Sequence, residues 1–158
     1  MKASFAALAL SFVGAAFAAP ATQAAKRQDA QHPYSIGGIS LRHLTEDNSY
    51  VFISYVTQYS NSSEAQETTT CQTSWNPSVP AGPENPQSCA DPNFTFWFPT
   101  GVSNLENYEV TVTGPVGQGT TTIVAGPSYE CGTYEGTIAG IDYECHTAQG
   151  AVFLIPVA

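Results

Sequence analysis

Four cysteines are the residues of this chain whose type could do chemistry, as nucleophiles, as metal ligands or as halves of disulfides. They are Cys71, Cys89, Cys131 and Cys145. Cys145 is followed by His146, yet neighbours on a strand point to opposite faces, so this pair is not predicted to act as nucleophile and base. The histidines are scattered and no C-x2-C or H-x3-H spacing occurs, so the sequence predicts no zinc site.

Paired carboxylates are the second candidate chemistry. Asp142 and Glu144 share one face if their segment is extended, and Glu130 and Glu135 lie nearby. Two carboxyl groups about 5–10 Å apart are the tools of glycosidases. The chain holds 13 acidic residues, however, so close pairs are expected on a solvated surface, and no loop shows the alternating ligands of a calcium site. The sequence therefore predicts no enzyme, no metal site and no cofactor.

The N-terminal segment is typical of a secretory leader. Residues 1–18 form a short apolar run after a basic start and end in a small-x-small cleavage pattern at Ala18. Residues 19–27 are Ala-rich and end in the dibasic pair Lys26-Arg27, which is typical of a propeptide processing site. We therefore expect cleavage at both points. An uncut tail after the signal peptide is the alternative.

Secretion and net charge indicate the state of the cysteines and the classes of partner that can bind. An oxidising compartment converts the four thiols into disulfides, and the sequence alone leaves three pairings open. Residues 28–158 hold Arg42 as their single basic residue beside 13 acidic ones, which gives a net charge of −12. Phosphate backbones and anionic membranes repel such a chain, so nucleic-acid and membrane partners are not expected. The acidity fits either solubility in an acidic medium or attraction to a basic partner.

Residues 28–158 are predicted to form one all-β domain, a disulfide-stabilised antiparallel barrel or sandwich of about seven or eight strands. The segment 50–59 is rich in β-branched and aromatic residues and predicts a long central strand. Further strands are predicted at 36–44, 94–98, 108–113, 120–125 and 151–157. Gly37-Gly38 indicates a bulge, and four prolines exclude a central strand from 76–86.

Two cysteines lie in similar short segments. Cys131 and Cys145 each stand in the order Tyr-Glu-Cys-x-Thr-x-x-Gly. If the two copies pair as a hairpin, Cys131 faces Cys145 at a distance that suits a disulfide. Glu130 then faces His146. Chance similarity in a segment rich in Tyr, Thr and Gly is the alternative.

Aromatic residues and sequons give the remaining candidate sites. Trp75 and Trp97 either fill the core or form a platform for a sugar or a protein partner, and Trp97 is exposed if it lies opposite the neighbouring phenylalanines. Asn61 and Asn93 are N-glycosylation sequons. Asn61 lies in a polar turn, whereas Asn93 opens a predicted strand.

The motifs of residues 28–158 follow one another in a distinctive order. They are Cys71-x3-Trp75, a proline-rich loop, Ser88-Cys89, the alternating Phe94, Phe96 and Phe98, the alternating Tyr108, Val110 and Val112, and Tyr129-x-Cys131 followed by Cys145. This order resembles the fungal Alternaria allergen-1 (AA1-like) family of secreted proteins. The resemblance covers nearly all of 28–158, and Arg27-Gln28-Asp29 is similar to the family's processing region.

The resemblance implies a compact antiparallel β-fold with disulfides Cys71–Cys89 and Cys131–Cys145. Some members carry a further cysteine near the mature N-terminus that supports a covalent dimer. None precedes Cys71 here, so we expect a monomer or a non-covalent homodimer. Members act as allergens, elicitors and effectors, and some bind plant defence proteins of the thaumatin-like type. No catalytic residues are established for the family, so none is carried over.

The expected function is surface recognition. We expect a secreted, non-enzymatic, effector-like or allergen-like protein that binds extracellular proteins of a host plant. A barrel that binds a small apolar ligand or a cell-wall glycan is the alternative. A packed interior would argue against the small ligand, and a strip of exposed aromatic residues would favour the glycan.

Overall fold

The regular elements of the described residues are β-strands. The computed structural model describes residues 33–60, 64–77, 82–133 and 140–157. Its ten strands are β1 (Tyr34–Leu44), β2 (Ser49–Tyr59), β3 (Ala65–Trp75), β4 (Gln87–Ser88), β5 (Thr95–Trp97), β6 (Asn107–Gly114), β7 (Gly117–Val124), β8 (Tyr129–Thr133), β9 (Ile141–Thr147) and β10 (Val152–Ile155). Within these ranges there is no helix with the length and apolar composition needed to cross a membrane.

The strands form two antiparallel sheets that pack face to face. The larger sheet has the order β3-β2-β1-β9-β8, with β10 also paired to β1. The smaller sheet has the order β4-β5-β6-β7. The prediction of an all-β, disulfide-stabilised antiparallel domain is confirmed. The sheets are not closed into a barrel, so the sandwich is the architecture that fits.

β1 changes its partner at a bulge formed by two glycines. Its first half pairs with β10, where Gly37 lies opposite Val152, and its second half pairs with β9, where Ser40 lies opposite His146. The register against β2 shifts between Gly37 and Ser40. Gly38 adopts a φ of 56°, a conformation that favours glycine. The predicted bulge is therefore confirmed. It lies between the stretch of β1 that pairs with β10 and the stretch that pairs with β9.

The core between the sheets consists largely of aromatic rings. Phe96 and Phe98 are fully buried, as their predicted alternation requires. The ring centroid of Phe98 lies 5.1 Å from that of Phe52 and 5.7 Å from that of Tyr108. Phe52 belongs to β2 and Tyr108 to β6, so Phe98 packs between the two sheets. Edge-to-face pairs of this kind contribute stability beyond their buried area.

The two tryptophans have different environments. Trp75 packs against the core, with its ring centroid 5.6 Å from those of Tyr50 and Phe98. Trp97 is half-buried and lies on the outer face of the smaller sheet, because its neighbours Phe96 and Phe98 point inward. Trp75 is thus a core residue, and Trp97 is the one that points away from the core.

Most of the predicted strands are present. β1, β2, β5, β6, β7 and β10 overlap the predicted segments, and β2 lies inside its sheet as predicted. The sequence does not predict β3, because Thr69 and Thr73 occupy inward positions where an apolar residue would indicate a strand. No described residue within 76–86 belongs to a strand. The described residues form ten strands, more than the seven or eight predicted.

Gly119 is expected to be intolerant of any side chain. It forms a bridge with Val157, and an added Cβ would lie 2.1 Å from the Pro156 carbonyl oxygen, which is backbone and cannot rotate away. We expect Gly119→Ala to lower the free energy of unfolding by about 1–3 kcal/mol, measured by urea denaturation. Gly132→Ala is the matched control, because nothing lies within 4 Å of its added Cβ. An equal loss in both variants would contradict the packing described at Gly119.

Candidate functional site

The cysteines form two disulfides. Cys71 bonds Cys89 and Cys131 bonds Cys145, which are the pairs that the resemblance implies. No described cysteine carries a free thiol. Disulfide sulfurs neither ligate metals nor act as nucleophiles, so the cysteines are structural and the candidate site lies elsewhere.

The second disulfide closes the hairpin that the sequence suggests. Cys131 of β8 lies directly opposite Cys145 of β9, and Glu130 lies opposite His146. The interpretation of the two similar segments as a pair of strands is therefore confirmed. His146 points away from the buried Cys145, so the two side chains form no catalytic pair.

The predicted modification sites lie partly within and partly outside the described residues. Asn93 is exposed on the turn before β5, and its backbone N donates a hydrogen bond to Asp91 Oδ1 at 2.9 Å. The sequon therefore stands on a turn and not within a strand, and its glycosylation stays a prediction. Four predicted positions lie outside the described residues: Ala18, Lys26, Arg27 and Asn61.

The carboxylates of β9 are engaged by different partners on β1. Arg42 Nε donates to Glu144 Oε1 at 2.9 Å, whereas Asp142 Oδ1 lies 2.6 Å from His43 Nδ1. Each carboxylate is thus held by a cross-strand base and not by the other carboxylate. Glu135, the fourth carboxylate of the glycosidase alternative, lies outside the described residues. Within the described ranges no group of three or more His, Cys, Asp or Glu is placed to hold a metal ion.

His43 ties the turn between β1 and β2 to β9. Its Nδ1 contacts Asp142, and its Nε2 lies 3.0 Å from Asn48 Oδ1, so a protonated ring donates at both nitrogens. Burial lowers the pKa of His43. The hydrogen bonds with Asn48 and Asp142, with the charges of Asp142 and Asp47, raise that pKa by more. The result is a pKa above the ordinary histidine value.

Stability is expected to decline as His43 loses its proton. A raised pKa means that the contribution is complete below the ordinary histidine pKa and is lost as pH rises through the folded-state value. The effect is at most about 1 kcal/mol, because Asp142 is largely exposed. Denaturant titrations of the wild type and of His43→Gln between pH 5.5 and 8.5 would measure it. Parallel pH profiles for the two proteins would contradict the assignment.

The outer face of the larger sheet carries a groove that we call the Tyr55 groove. Gly37 and Gly38 form its floor, Tyr55 forms one wall and residues 147–152 form the other. Its volume is about 280 Å³. An added Cβ on Gly38 would lie 2.5 Å from Tyr55 Cδ2, and one on Gly37 would lie 2.9 Å from Val152 Cγ1. The glycine bulge thus lets the aromatic ring and the valine approach the backbone.

Exposed apolar side chains cluster at this groove. Tyr55 is 50% exposed, and Val152 and Leu154 are each 42% exposed. Gly37 lies between Val152 on β10 and Tyr55 on β2, and Leu154 lies opposite the next outward position of β1. The three side chains therefore form one continuous patch across three strands.

The Tyr55 groove is uncharged in a strongly acidic chain. None of the residues that line it is an Asp, Glu, Lys, Arg or His. Its polar groups are the hydroxyls and the amide of Ser35, Thr57, Thr147 and Gln149. Ser35 Oγ also lies 3.1 Å from the hydroxyl of Tyr59. The groove can therefore offer apolar contact and neutral hydrogen bonds, but no acid–base or metal chemistry.

Comparison of the chain with protein-family models, curated proteins and solved structures found no match. The resemblance to the Alternaria allergen-1 family therefore stays a prediction.

Two components of the Tyr55 groove, the apolar outer face of β2 and the glycine bulge, can be predicted from the sequence. Val51, Ile53 and Tyr55 alternate with the inward residues of β2, so the apolar outer face of this strand is readable before folding. The glycine pair of the bulge is readable as well. The approach of β10 to the bulge is not, because strands distant in sequence are brought together only by the fold.

Proposed function

We propose that this chain is a secreted, non-catalytic binding protein that docks a loop of another extracellular protein into the Tyr55 groove. The observation that carries the proposal is the uncharged groove with its exposed tyrosine, valine and leucine. The two disulfides are consistent with an extracellular protein. The expected partner is a host plant defence protein such as a thaumatin-like protein, the class that the sequence resemblance implies.

The composition of the groove supports a protein partner. The centres of protein–protein interfaces are depleted of charged residues and enriched in tyrosine, while their rims are polar. The Tyr55 groove has this composition. The remaining surface supplies long-range attraction, because a net charge of −12 over 28–158 favours encounter with a basic partner.

A neutral glycan is the second candidate occupant. The half-exposed ring of Tyr55 stands beside serine and threonine hydroxyls, and such a combination can stack on and hydrogen-bond to a sugar. The groove opens at the surface and is small, so a glycan would occupy it through one or two residues. Competition by a soluble neutral oligosaccharide would distinguish this occupant from a protein loop.

Binding is expected to depend on the Tyr55 groove. We expect Tyr55→Ala to weaken binding to a purified plant thaumatin-like protein by about tenfold or more, because buried tyrosines are common interface hot spots. Val152→Ser should also weaken binding. Biolayer interferometry with the plant protein immobilised would measure both.

Val124→Ser provides the matched control for Val152→Ser. Val124 is 51% exposed on β7 of the smaller sheet, and its replacement should leave binding unchanged. Equal weakening by the two valine variants would contradict the groove as the binding site. No binding by the wild type would contradict the proposed partner class.

A further inference from the structure

A second groove lies on the same outer face as the Tyr55 groove, and the inference from it rests on the proposed function. We call it the acidic groove. Leu44, Val51 and Ile141 give it half-buried apolar walls, and Glu46 and Asp47 stand exposed at its rim. Its volume is about 470 Å³.

The rim carboxylates are held in place by the turn between β1 and β2. Thr45 N donates to Gly140 O at 2.7 Å, which fastens the turn to the start of β9. The Cγ of Glu46 lies against Gly140, 3.3 Å from an added Cβ. Asp47 Oδ1 accepts a hydrogen bond from Ser49 Oγ at 2.6 Å. Asp47 is therefore positioned by a hydrogen bond before any ligand binds, which lowers the entropic cost of binding, whereas Glu46 is placed by its packing beside Gly140.

The charge of the acidic groove favours a cation. Arg42 also lines the groove, but its guanidinium pairs with Glu144, which offsets its charge. Glu46 and Asp47 form no ion pair with Arg42, the single Lys or Arg in the described part of the chain. The charge of Asp47 acts on His43, but that ring is hydrogen-bonded to Asp142. The net field in the groove is thus negative, in line with the acidity of the whole chain.

We propose that the acidic groove takes a lysine or arginine side chain of the basic partner. The methylene stem of that side chain packs on Leu44, Val51 and Ile141, and its charged head reaches Glu46 and Asp47 at the rim. Long basic side chains combine an apolar stem and a charged head in this way. A neutral ligand would leave the carboxylates unused, and an anion would be repelled.

The two grooves together set a spacing for the partner. Val51 and Tyr55 are four residues apart on the outer face of β2, which corresponds to about 13 Å. A partner that occupies both grooves presents a basic side chain at about this distance from an apolar one. The larger sheet thus recognises a pattern of two side chains and not a single one.

A titration of the free chain tests the inference without any partner protein. The probe is N-acetyl-arginine methylamide, followed by amide chemical shifts of the nitrogen-15-labelled protein. The largest shifts are expected at Glu46, Asp47, Gly140 and Ile141. The combined variant Glu46→Gln and Asp47→Asn should weaken binding by about fivefold.

Two controls decide the outcome. N-acetyl-citrulline methylamide has the same shape without the charge and should give much smaller shifts. Replacing Glu84 and Glu109 by glutamine removes the same charge elsewhere and should leave the affinity unchanged. Equal shifts with citrulline, or equal weakening by both charge variants, would overturn the inference. Because the probe needs no partner protein, failure here leaves the Tyr55 groove proposal intact, and failure of that proposal leaves this titration valid.

Discussion

Replacing all four cysteines by alanine is expected to lower the free energy of unfolding by about 6 kcal/mol. Each disulfide closes a loop, of 18 positions for Cys71–Cys89 and 14 for Cys131–Cys145. Loops of these lengths contribute about 3 kcal/mol each by restricting the unfolded chain. The two loops do not overlap in sequence, so their contributions should add. A domain of this size has about 5–15 kcal/mol in total, so the loss removes a large part of its stability.

The two disulfides should contribute unequally to the free energy of unfolding. The loop closed by Cys71–Cys89 contains four prolines, which already restrict the unfolded chain, so its contribution should be the smaller one. Urea denaturation of the two double variants, Cys71→Ala with Cys89→Ala and Cys131→Ala with Cys145→Ala, measures each term. A four-cysteine variant as stable as the wild type would contradict the structural role of both disulfides.

Replacing Phe98 by alanine should cost about 3–5 kcal/mol of unfolding free energy. Its side chain is fully buried, and its ring contacts those of Phe52, Trp75, Phe96 and Tyr108. Truncation removes the transfer energy of the ring and leaves a cavity between the two sheets. The flanking elements are held by disulfides and strand pairing, so they can fill the cavity only in part.

Trp97→Ala is the control for Phe98→Ala. Trp97 is the larger side chain and the sequence neighbour of Phe98, yet it points to the outer face of the smaller sheet. Its loss should cost well under half as much as that of Phe98. Denaturation followed by circular dichroism avoids the change in fluorescence that the loss of tryptophan causes. A greater cost for Trp97 than for Phe98 would contradict the inward orientation of Phe98 and the outward orientation of Trp97.

The predictability of the fold differs from strand to strand for physical reasons. β2 and β6 can be predicted from the sequence. Apolar residues occupy most positions of β2 and every second position in the middle of β6. β3 is hidden because its inward side carries Thr69, Cys71 and Thr73 and its outward side is polar. β3 forms because the long β2 offers it a complete edge, which is a tertiary effect that local sequence does not contain.

The candidate grooves are less predictable than the strands that carry them. Gly37-Gly38 indicates a bulge, and the structure shows its consequence, the exchange of β10 for β9 beside β1. Tyr55 is exposed because the two glycines beside it have no side chains to cover its ring. Sequence alone shows that β2 is apolar on both faces, but not which face the second sheet covers.

The central claim is that the outer face of the larger sheet binds a protein partner at the Tyr55 groove. Hydroxyl-radical footprinting of the chain, free and bound to a plant thaumatin-like protein, tests it most directly, because oxidation reports side-chain exposure. We expect strong protection of Tyr55, Val152 and Leu154 in the complex and unchanged oxidation of Trp97 and Val124 on the smaller sheet. Protection of Trp97 and Val124 with unchanged oxidation of Tyr55 would contradict it.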